Sequence, residues 1–158
     1  MLYLWMGLYA AGIVVLDQIT KYLTVEKLDV YEKATAIPGL FHFTYVQNRG
    51  AAFSSFEGAR WLFVALFLVF TVLAVWELIK KKLPFTKLER WCIISILAGG
   101  LGNVIDRVRL GYVIDMIEVE FVDFAVFNVA DSFITCGCIL LMVSLVFFNK
   151  KFWKEEKK

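Results

Sequence analysis

The chain has 158 residues, 60% of them hydrophobic, with a formal net charge of +2 and a mean hydropathy of +0.70. Soluble proteins average about 45–50% apolar residues, and a soluble domain of this composition could not bury the excess. Composition therefore excludes an ordinary soluble domain, and the small net charge gives no indication of nucleic-acid binding.

Four long runs without charged residues predict helices that cross a membrane. Each run is slightly shorter than the roughly 20 residues that span a bilayer, and one added turn at its polar end makes up the difference. Backbone amides inside a bilayer must pair within the chain, so these runs should be helical. We expect a single domain, 1–158, with spans at 3–23, 60–79, 90–108 and 130–149.

The distribution of lysine and arginine predicts the orientation. The link 80–89 with the adjacent Arg90, and the tail 150–158, are both rich in basic residues. Basic segments stay in the cytoplasm, and these two lie two crossings apart, on the same side. Both termini should therefore be cytoplasmic, and the links 24–59 and 109–129 should face outward.

The two outer links differ in pattern. In the first, the sequence FHFTYVQN alternates aromatic and polar residues, which predicts a short strand, and Pro38-Gly39 before it marks a turn. The second is acidic, and its segment VIDMIEVEFVDF fits either a strand pair or an amphipathic segment lying on the membrane. Periodicity alone does not decide between these two structures.

Polar residues from separate segments should meet at the outer edge of the membrane. Ionisable residues within spans are costly and usually mark function. The predicted topology brings together Asp17, Lys21, Asn48, Arg49, Gly50, Asn103, Asp106, Arg107, Asp115, Asn128 and Asp131. The stripe Gly99, Gly102, Asn103 and Asp106 follows one helix face, and its glycines allow close approach of another helix.

Each of these residues also has a purely structural explanation. Asp17 and Lys21 have the spacing of an ion pair within a helix. Asp106 could neutralise Arg107 and Arg109, and the two asparagines could bond between helices. Asp115 could be one loop carboxylate among other acids, and Asp131 could be a helix cap. What favours chemistry is the convergence of all of them at one depth.

Two neighbouring carboxylates are suited to hydrolysis. They cannot both ionise easily, so the pair shares a proton, and one member can activate water while the other polarises a carbonyl group. The chain has a single histidine, His42, and its three cysteines lack the spacing of zinc ligands. We therefore expect no metal and no cofactor.

The motifs resemble those of the lipoprotein signal peptidases, or signal peptidase II, which are integral membrane aspartic endopeptidases of bacteria. The resemblance covers nearly the whole chain, in family order. Its motifs are DQITK at 17–21, QNRGAAFS at 47–54, GGLGNVIDR at 99–107, GYVIDMI at 111–117 and FNVADS at 127–132. Ala98 and Ala125 depart from the family pattern, where glycine and proline are frequent.

The resemblance implies a site and a fold. Asp115 and Asp131 would form the catalytic pair. The supporting or substrate-binding residues would be Asp17, Lys21, Asn48, Gly50, Asn103, Asp106, Arg107, Asn128 and Ala130. The fold would be an all-α membrane protein, a bundle of four transmembrane helices with a small extracytoplasmic β-rich cradle and a short outer helix.

The resemblance also implies the reaction and its location. The enzyme would remove the signal peptide of a diacylglyceryl-modified prolipoprotein just before the lipidated cysteine. It would lie in the bacterial cytoplasmic membrane with its active site at the extracytoplasmic face. The expected partners are this substrate and membrane lipids, with no nucleic acid and no obligate protein partner.

A small proton-coupled transporter is the main alternative. Such proteins place carboxylates near the middle of the bilayer and often contain inverted repeats. Here the charges should lie at one edge, and the sequence shows no internal repeat. A purely structural membrane subunit would leave the paired aspartates unexplained.

Overall fold

The computed structural model describes residues 1–50 and 58–154, and four long helices dominate this part of the chain. They are α1 (Leu2–Lys27), α2 (Arg60–Lys80), α3 (Lys87–Arg109) and α4 (Val129–Val143), which continues as the π-helical segment Ser144–Phe148. All four are long and apolar enough to cross a membrane. The expected four-helix membrane architecture is confirmed.

Helix α3 is the centre of the bundle. Half of the residues in its apolar 18-residue segment are buried, against 17% in each of the other three helices, which leave most of their apolar surface for lipid. A Cβ on Gly102 would lie 2.5 Å from Asp17 Oδ2, and a Cβ on Gly99 would lie 2.5 Å from the carbonyl oxygen of Ala130. The glycine stripe thus permits α3 to approach both α1 and α4 closely, as the sequence predicts.

A three-stranded antiparallel sheet in the order β1-β2-β3 joins the two outer links. It consists of β1 (Lys33–Ile37), β2 (Phe41–Asn48) and β3 (Val113–Val119). Strand β2 and the turn at Pro38-Gly39, where Gly39 has φ 74°, are confirmed. Of the two structures left open for the acidic link, β-structure is correct, although the segment forms one strand and not a pair, because β3 pairs with β2 of the other link.

The expected β-rich cradle is therefore present. The described part of the outer links contains no short helix beyond the ends of the four long ones. Part of the QNRGAAFS motif falls within 51–57, which lies outside the described residues, as does the end of the tail at 155–158.

The start of α1, the end of α2, the start of α3 and the end of α4 meet at one end of the bundle. The Tyr3 hydroxyl donates to the Leu78 carbonyl (3.3 Å), and the Asn149 amide donates to Glu89 Oε2 (2.8 Å). A short helix, α5 (Lys150–Lys154), follows there. We call this the basic end, and its basic residues are Lys80, Lys81, Lys82, Lys87, Arg90, Lys150, Lys151 and Lys154. The opposite end carries the sheet.

Candidate active site

A buried ion cluster lies where α1 and α3 approach the sheet. Lys21 Nζ is 2.9 Å from Asp17 Oδ2 and 2.8 Å from Asp106 Oδ2. Lys21 is 1% exposed, Asp17 0% and Asp106 2%. Charges this deeply buried persist only when they are paired and hydrogen-bonded, and one lysine here serves two carboxylates.

The same two carboxylates hold neighbouring backbone in place. Asp17 Oδ1 accepts a hydrogen bond from the Ala130 N–H (2.9 Å) at the start of α4. Asp106 Oδ2 accepts from the Ile114 N–H (3.2 Å) in β3. The ion cluster therefore fixes both segments that carry the predicted catalytic aspartates. Ala130 contributes its backbone, which explains how an alanine belongs to the site.

Two asparagines connect this cluster to the aspartates at 115 and 131. Asn103 Oδ1 accepts from Lys21 Nζ (2.9 Å), and Asn103 Nδ2 donates to Asp131 Oδ1 (2.7 Å). Asn128 Nδ2 donates to Asp115 Oδ1 (2.6 Å), while its backbone N–H donates to Asp131 Oδ2 (3.2 Å). Asn128 therefore contacts both aspartates.

Local helix chemistry orients Asp131. Asn128 is the N-cap of α4, its side-chain oxygen accepts the Asp131 N–H (2.9 Å), and Asp131 in return accepts the Asn128 N–H. This reciprocal capping box fixes the first turn. Asn128 is thus the cap, and Asp131 completes the capping box from the first turn. The same Asp131 carboxylate also accepts the hydrogen bond from Asn103 Nδ2.

Strand pairing positions Asp115. In the β2–β3 register Asp115 lies opposite Val46, and Asn48 donates from Nδ2 to Asp115 Oδ2 (2.9 Å). Burial, and next the charge of Asp131, raise the pKa of Asp115 from 3.8 to about 7, although the bonds from Asn48 and Asn128 oppose the shift. Near neutral pH, Asp115 can therefore carry a proton.

Arg107 joins the end of α3 to the loop after β2. Its Nη2 donates to the Gly50 carbonyl (3.0 Å), and its guanidinium carbon lies 4.9 Å from the ring centre of Phe63 on α2. In the described part of the chain, Arg107 forms no ion pair with Asp106, which is neutralised by Lys21 instead. The sequence-based suggestion that Asp106 neutralises Arg107 is wrong.

The two aspartates line one cavity of about 490 Å³. Asn48, Asn103 and Arg107 complete its polar wall. The remaining lining residues are mostly apolar or small: Val113, Phe124, Ala125, Val126, Phe127, Ser132, Thr135 and Cys136. The cavity thus places a carboxyl pair beside an apolar surface.

The other acids of the outer link serve the sheet. The His42 ring lies between Glu120 Oε1 (3.0 Å from Nδ1) and Glu118 Oε2 (2.8 Å from Nε2, at an angle outside hydrogen-bond geometry). The adjacent carboxylates of Glu120 and Glu118 raise the pKa of His42. Burial raises the pKa of Glu118, but its contacts with Lys33 and His42 outweigh burial and leave that pKa below its usual value. Asp115 alone of these acids enters the network with Asp131.

The structure brings together the two aspartates and the nine supporting residues that the family resemblance implied, whereas Arg49, also expected at this edge, is exposed. Two participants were missed, Gln18, whose Nε2 donates to Asp106 Oδ1 (3.0 Å), and Phe63 beneath Arg107. Gln18 was visible as a polar residue within a span, whereas nothing in the sequence marks Phe63 among its apolar neighbours. Within 1–50 and 58–154, no cluster of three or more His, Cys, Asp or Glu residues has the arrangement of a metal site.

Known proteins are similar to this chain in sequence and in fold. The family model described as "Signal peptidase (SPase) II" matches residues 9–147. Proteins named "Lipoprotein signal peptidase" include one from Streptococcus pyogenes serotype M6, 44% identical over 147 residues, which are 91% of this chain and 90% of that protein. A second, from Streptococcus thermophilus (strain CNRZ 1066), is 44% identical over 144 residues, 89% of this chain and 87% of its own.

Two solved structures are similar as well. A bacterial membrane enzyme determined by the in meso method at 2.3 Å resolution is 32% identical, with a TM-score of 0.86, over 97% of this chain and 93% of that one. A second bacterial membrane enzyme, determined by the same method at 1.9 Å, is also 32% identical, with a TM-score of 0.82, over 91% of this chain and 94% of that one.

Proposed function

We propose that this chain, which belongs to the signal peptidase II family, uses Asp115 and Asp131 as the catalytic pair of a membrane aspartic endopeptidase. Its substrate would be a prolipoprotein carrying a diacylglyceryl group on cysteine. Cleavage would fall just before that cysteine and release the signal peptide.

The observation that carries this proposal is the shared cavity. Asp115 and Asp131 both line it, and Asn128 bonds to both carboxylates. Among the described residues, no lysine or arginine nitrogen forms a salt bridge with either carboxylate. Two carboxylates held by amide donors, without a neutralising cation in contact, favour a shared proton.

The pair would act by general acid–base catalysis. The ionised carboxylate accepts a proton from water as the water oxygen attacks the scissile carbonyl carbon. The protonated carboxyl group donates a hydrogen bond to the carbonyl oxygen. A proton then passes to the departing amine as the C–N bond breaks, which leaves a carboxyl terminus on the signal peptide and a free amine on the lipidated cysteine.

The supporting residues would position this pair. Asn48, Asn103 and Asn128 orient the carboxylate oxygens, and the Asp17–Lys21–Asp106 cluster holds the segments from which they project. The apolar wall that includes Phe124 and Phe127 suits a substrate whose signal peptide and acyl chains lie in the membrane.

The catalytic test uses purified Asp115→Asn, Asp131→Asn and the double variant in detergent. Each single variant should lose cleavage of a lipidated precursor by about 10²–10⁴-fold, because asparagine cannot exchange the proton. The double variant should be little worse, since members of one catalytic unit are not additive. Asp123→Asn, an exposed aspartate of the same link, is the matched control and should retain activity. Near-parental turnover by a folded Asp115 or Asp131 variant would refute the pair.

The orientation is also a proposal. The basic end would be cytoplasmic, with both termini there, and the sheet and cavity would lie at the extracytoplasmic face, following the lysine and arginine distribution. Single cysteines at Lys82 and Asp123, placed in a background without Cys92, Cys136 and Cys138, can be labelled in intact cells by a membrane-impermeant reagent. We expect labelling at 123 only, and the reverse pattern would invert the topology.

The family match gives no support to a transporter. In the described residues the ion cluster and the aspartate pair lie together at the sheet end of the bundle, and the middle of α2 carries no ionisable residue. Proton movement in liposomes without peptide cleavage would be required to revive that alternative.

A further inference from the structure

A second cavity, of about 250 Å³, opens at the basic end, remote from the aspartate pair. It lies between the start of α1 and the connection from α2 to α3. Met6 and Leu78, both buried, and the exposed Leu2 form its apolar floor. Lys81, Lys87 and Arg90 surround it, so that two cations from α3 and one from the connection after α2 border one apolar depression.

The backbone and aromatic contacts hold two of these cations at the cavity. Lys81 follows the end of α2 in the left-handed conformation, with φ 53°, and its Nζ lies 5.7 Å from the ring centre of Tyr3. Arg90 Nε donates to the Phe85 carbonyl (3.3 Å), which fixes the guanidinium beside the opening. Within the described residues, Lys81, Lys87 and Arg90 form no salt bridge.

The acids nearest in sequence are engaged elsewhere. Glu77 Oε1 accepts the Leu83 N–H (2.7 Å). Glu89 is fully buried, and its carboxylate accepts from Ser144 Oγ (2.8 Å) and Asn149 Nδ2 (2.8 Å), neither of which lines the cavity. The basic residues around the cavity therefore keep their charge available for a ligand.

We propose that this cavity binds the headgroup of an anionic phospholipid. The phosphate would lie among Lys81, Lys87 and Arg90, and the first acyl carbons would lie on Leu2, Met6 and Leu78. The position at the end of the membrane-spanning helices favours a lipid over a soluble anion, because basic pockets between such helices suit lipid phosphates and the floor is apolar. Both α1 and α2 pack on α3, and the lipid would fill the space between their ends.

Native mass spectrometry of the purified, delipidated protein tests the site. Dioleoylphosphatidylglycerol and dioleoylphosphatidylcholine are titrated separately, so that the acyl chains match and only headgroup charge differs. We expect one tightly retained phosphatidylglycerol, and binding of phosphatidylcholine weaker by about 10-fold or more, because the pocket cations attract only the net negative lipid. Equal retention of the two lipids by the parent protein would overturn the proposal, whatever the variants do.

Two triple variants of equal charge locate the binding. Lys81→Gln/Lys87→Gln/Arg90→Gln should weaken phosphatidylglycerol binding by on the order of 10- to 100-fold. The control, Lys82→Gln/Lys151→Gln/Lys154→Gln, removes three cations at the same end without touching the cavity and should change binding less than about 3-fold. An equal loss in both variants would indicate general surface attraction and refute the site.

A competition arm separates lipid from other occupants. Inorganic phosphate in large excess should not displace the bound phosphatidylglycerol, because it gains nothing from the apolar floor. Displacement by phosphate would identify a simple anion site instead. The proposal would likewise be overturned if a second copy of the chain bound in place of the lipid and the Lys81→Gln/Lys87→Gln/Arg90→Gln variant no longer formed that dimer.

Discussion

Four aspartates in this molecule form two pairs with opposite environments. Asp17 and Asp106 share Lys21 and are almost completely buried, and they also accept backbone N–H groups from α4 and β3. Asp115 and Asp131 accept hydrogen bonds from asparagine side chains, Asp131 also accepts the Asn128 backbone N–H, and both line an open cavity. The same side chain therefore belongs to a buried scaffold in one pair and lines a cavity in the other, where we propose that it carries protons.

The difference comes from the counter-ion. A buried lysine bridges Asp17 and Asp106 and holds both carboxylates in one geometry. Amide donors orient the other two carboxylates without supplying a full positive charge, so protonation stays accessible there. The two asparagines that bridge the pairs let the scaffold set the positions of Asp115 and Asp131 without neutralising them.

Removing the cation should break the scaffold pair most severely. Lys21→Met leaves two buried carboxylates without a partner, and loss of one member of a buried ion pair costs about 3–5 kcal/mol. We expect a correspondingly lower thermal unfolding midpoint in detergent, with reduced cleavage. The measurement is tryptophan fluorescence during heating.

A charge-free version of the cluster is the informative control. Asp17→Asn/Lys21→Met/Asp106→Asn removes all three charges and should be more stable than Lys21→Met alone, because no carboxylate is left uncompensated. If the triple variant is instead less stable than Lys21→Met, the loss of stability comes from lost packing and not from the unpaired charge.

The pH dependence of stability tests the contrast at Asp115, in the pair that lines the cavity. The pKa of folded Asp115 is about 7 against a reference of 3.8, so the folded state binds more protons between these values. Stability from this group is fully present below about pH 4 and is lost as pH rises through about 7. Between about pH 4 and pH values above 7, the free energy of unfolding should fall by at most about 4 kcal/mol because of this group.

Asp115→Asn should remove this part of the pH dependence. Relative to the parent, the variant should gain stability at pH 8 compared with pH 5, as read from unfolding midpoints at both values. Asp123→Asn, at an exposed position, should follow the parent at both pH values. Identical pH profiles for the parent and Asp115→Asn would mean that Asp115 is not protonated in the folded protein.

Much of this arrangement could be predicted from the sequence, because membrane spans are long and polar residues within them are rare. The four helices, strand β2 and the aspartate-bearing segments all follow from hydropathy, alternation and the family motifs. The site residues indeed lie together, while their catalytic and supporting roles stay predictions until they are tested.

Other features depend on tertiary contacts that no local pattern encodes. Strand β1, with the sequence KATAI, is exposed at every position and exists because it pairs with β2. The choice of Lys21 over Arg107 as the partner of Asp106 is set by how closely α1 approaches α3 at Gly102. Sequence neighbours suggested the wrong partner, since Arg107 directly follows Asp106 but points to Gly50.

The smallest effect should come from Gln18, and it tests whether a carboxylate in the scaffold pair depends on neutral donors as well as on Lys21. Gln18→Leu removes the amide that donates to Asp106 Oδ1, and hydrogen bonds to charged groups are worth about 1.5–3 kcal/mol. Gln47→Leu is the matched control, because Gln47 donates to the neutral hydroxyl of Tyr45 (3.0 Å), a bond worth about 0.5–1.5 kcal/mol. Gln18→Leu should therefore destabilise the protein more in thermal unfolding. Equal losses would mean that Lys21 and the Ile114 N–H satisfy Asp106 without help from the Gln18 amide.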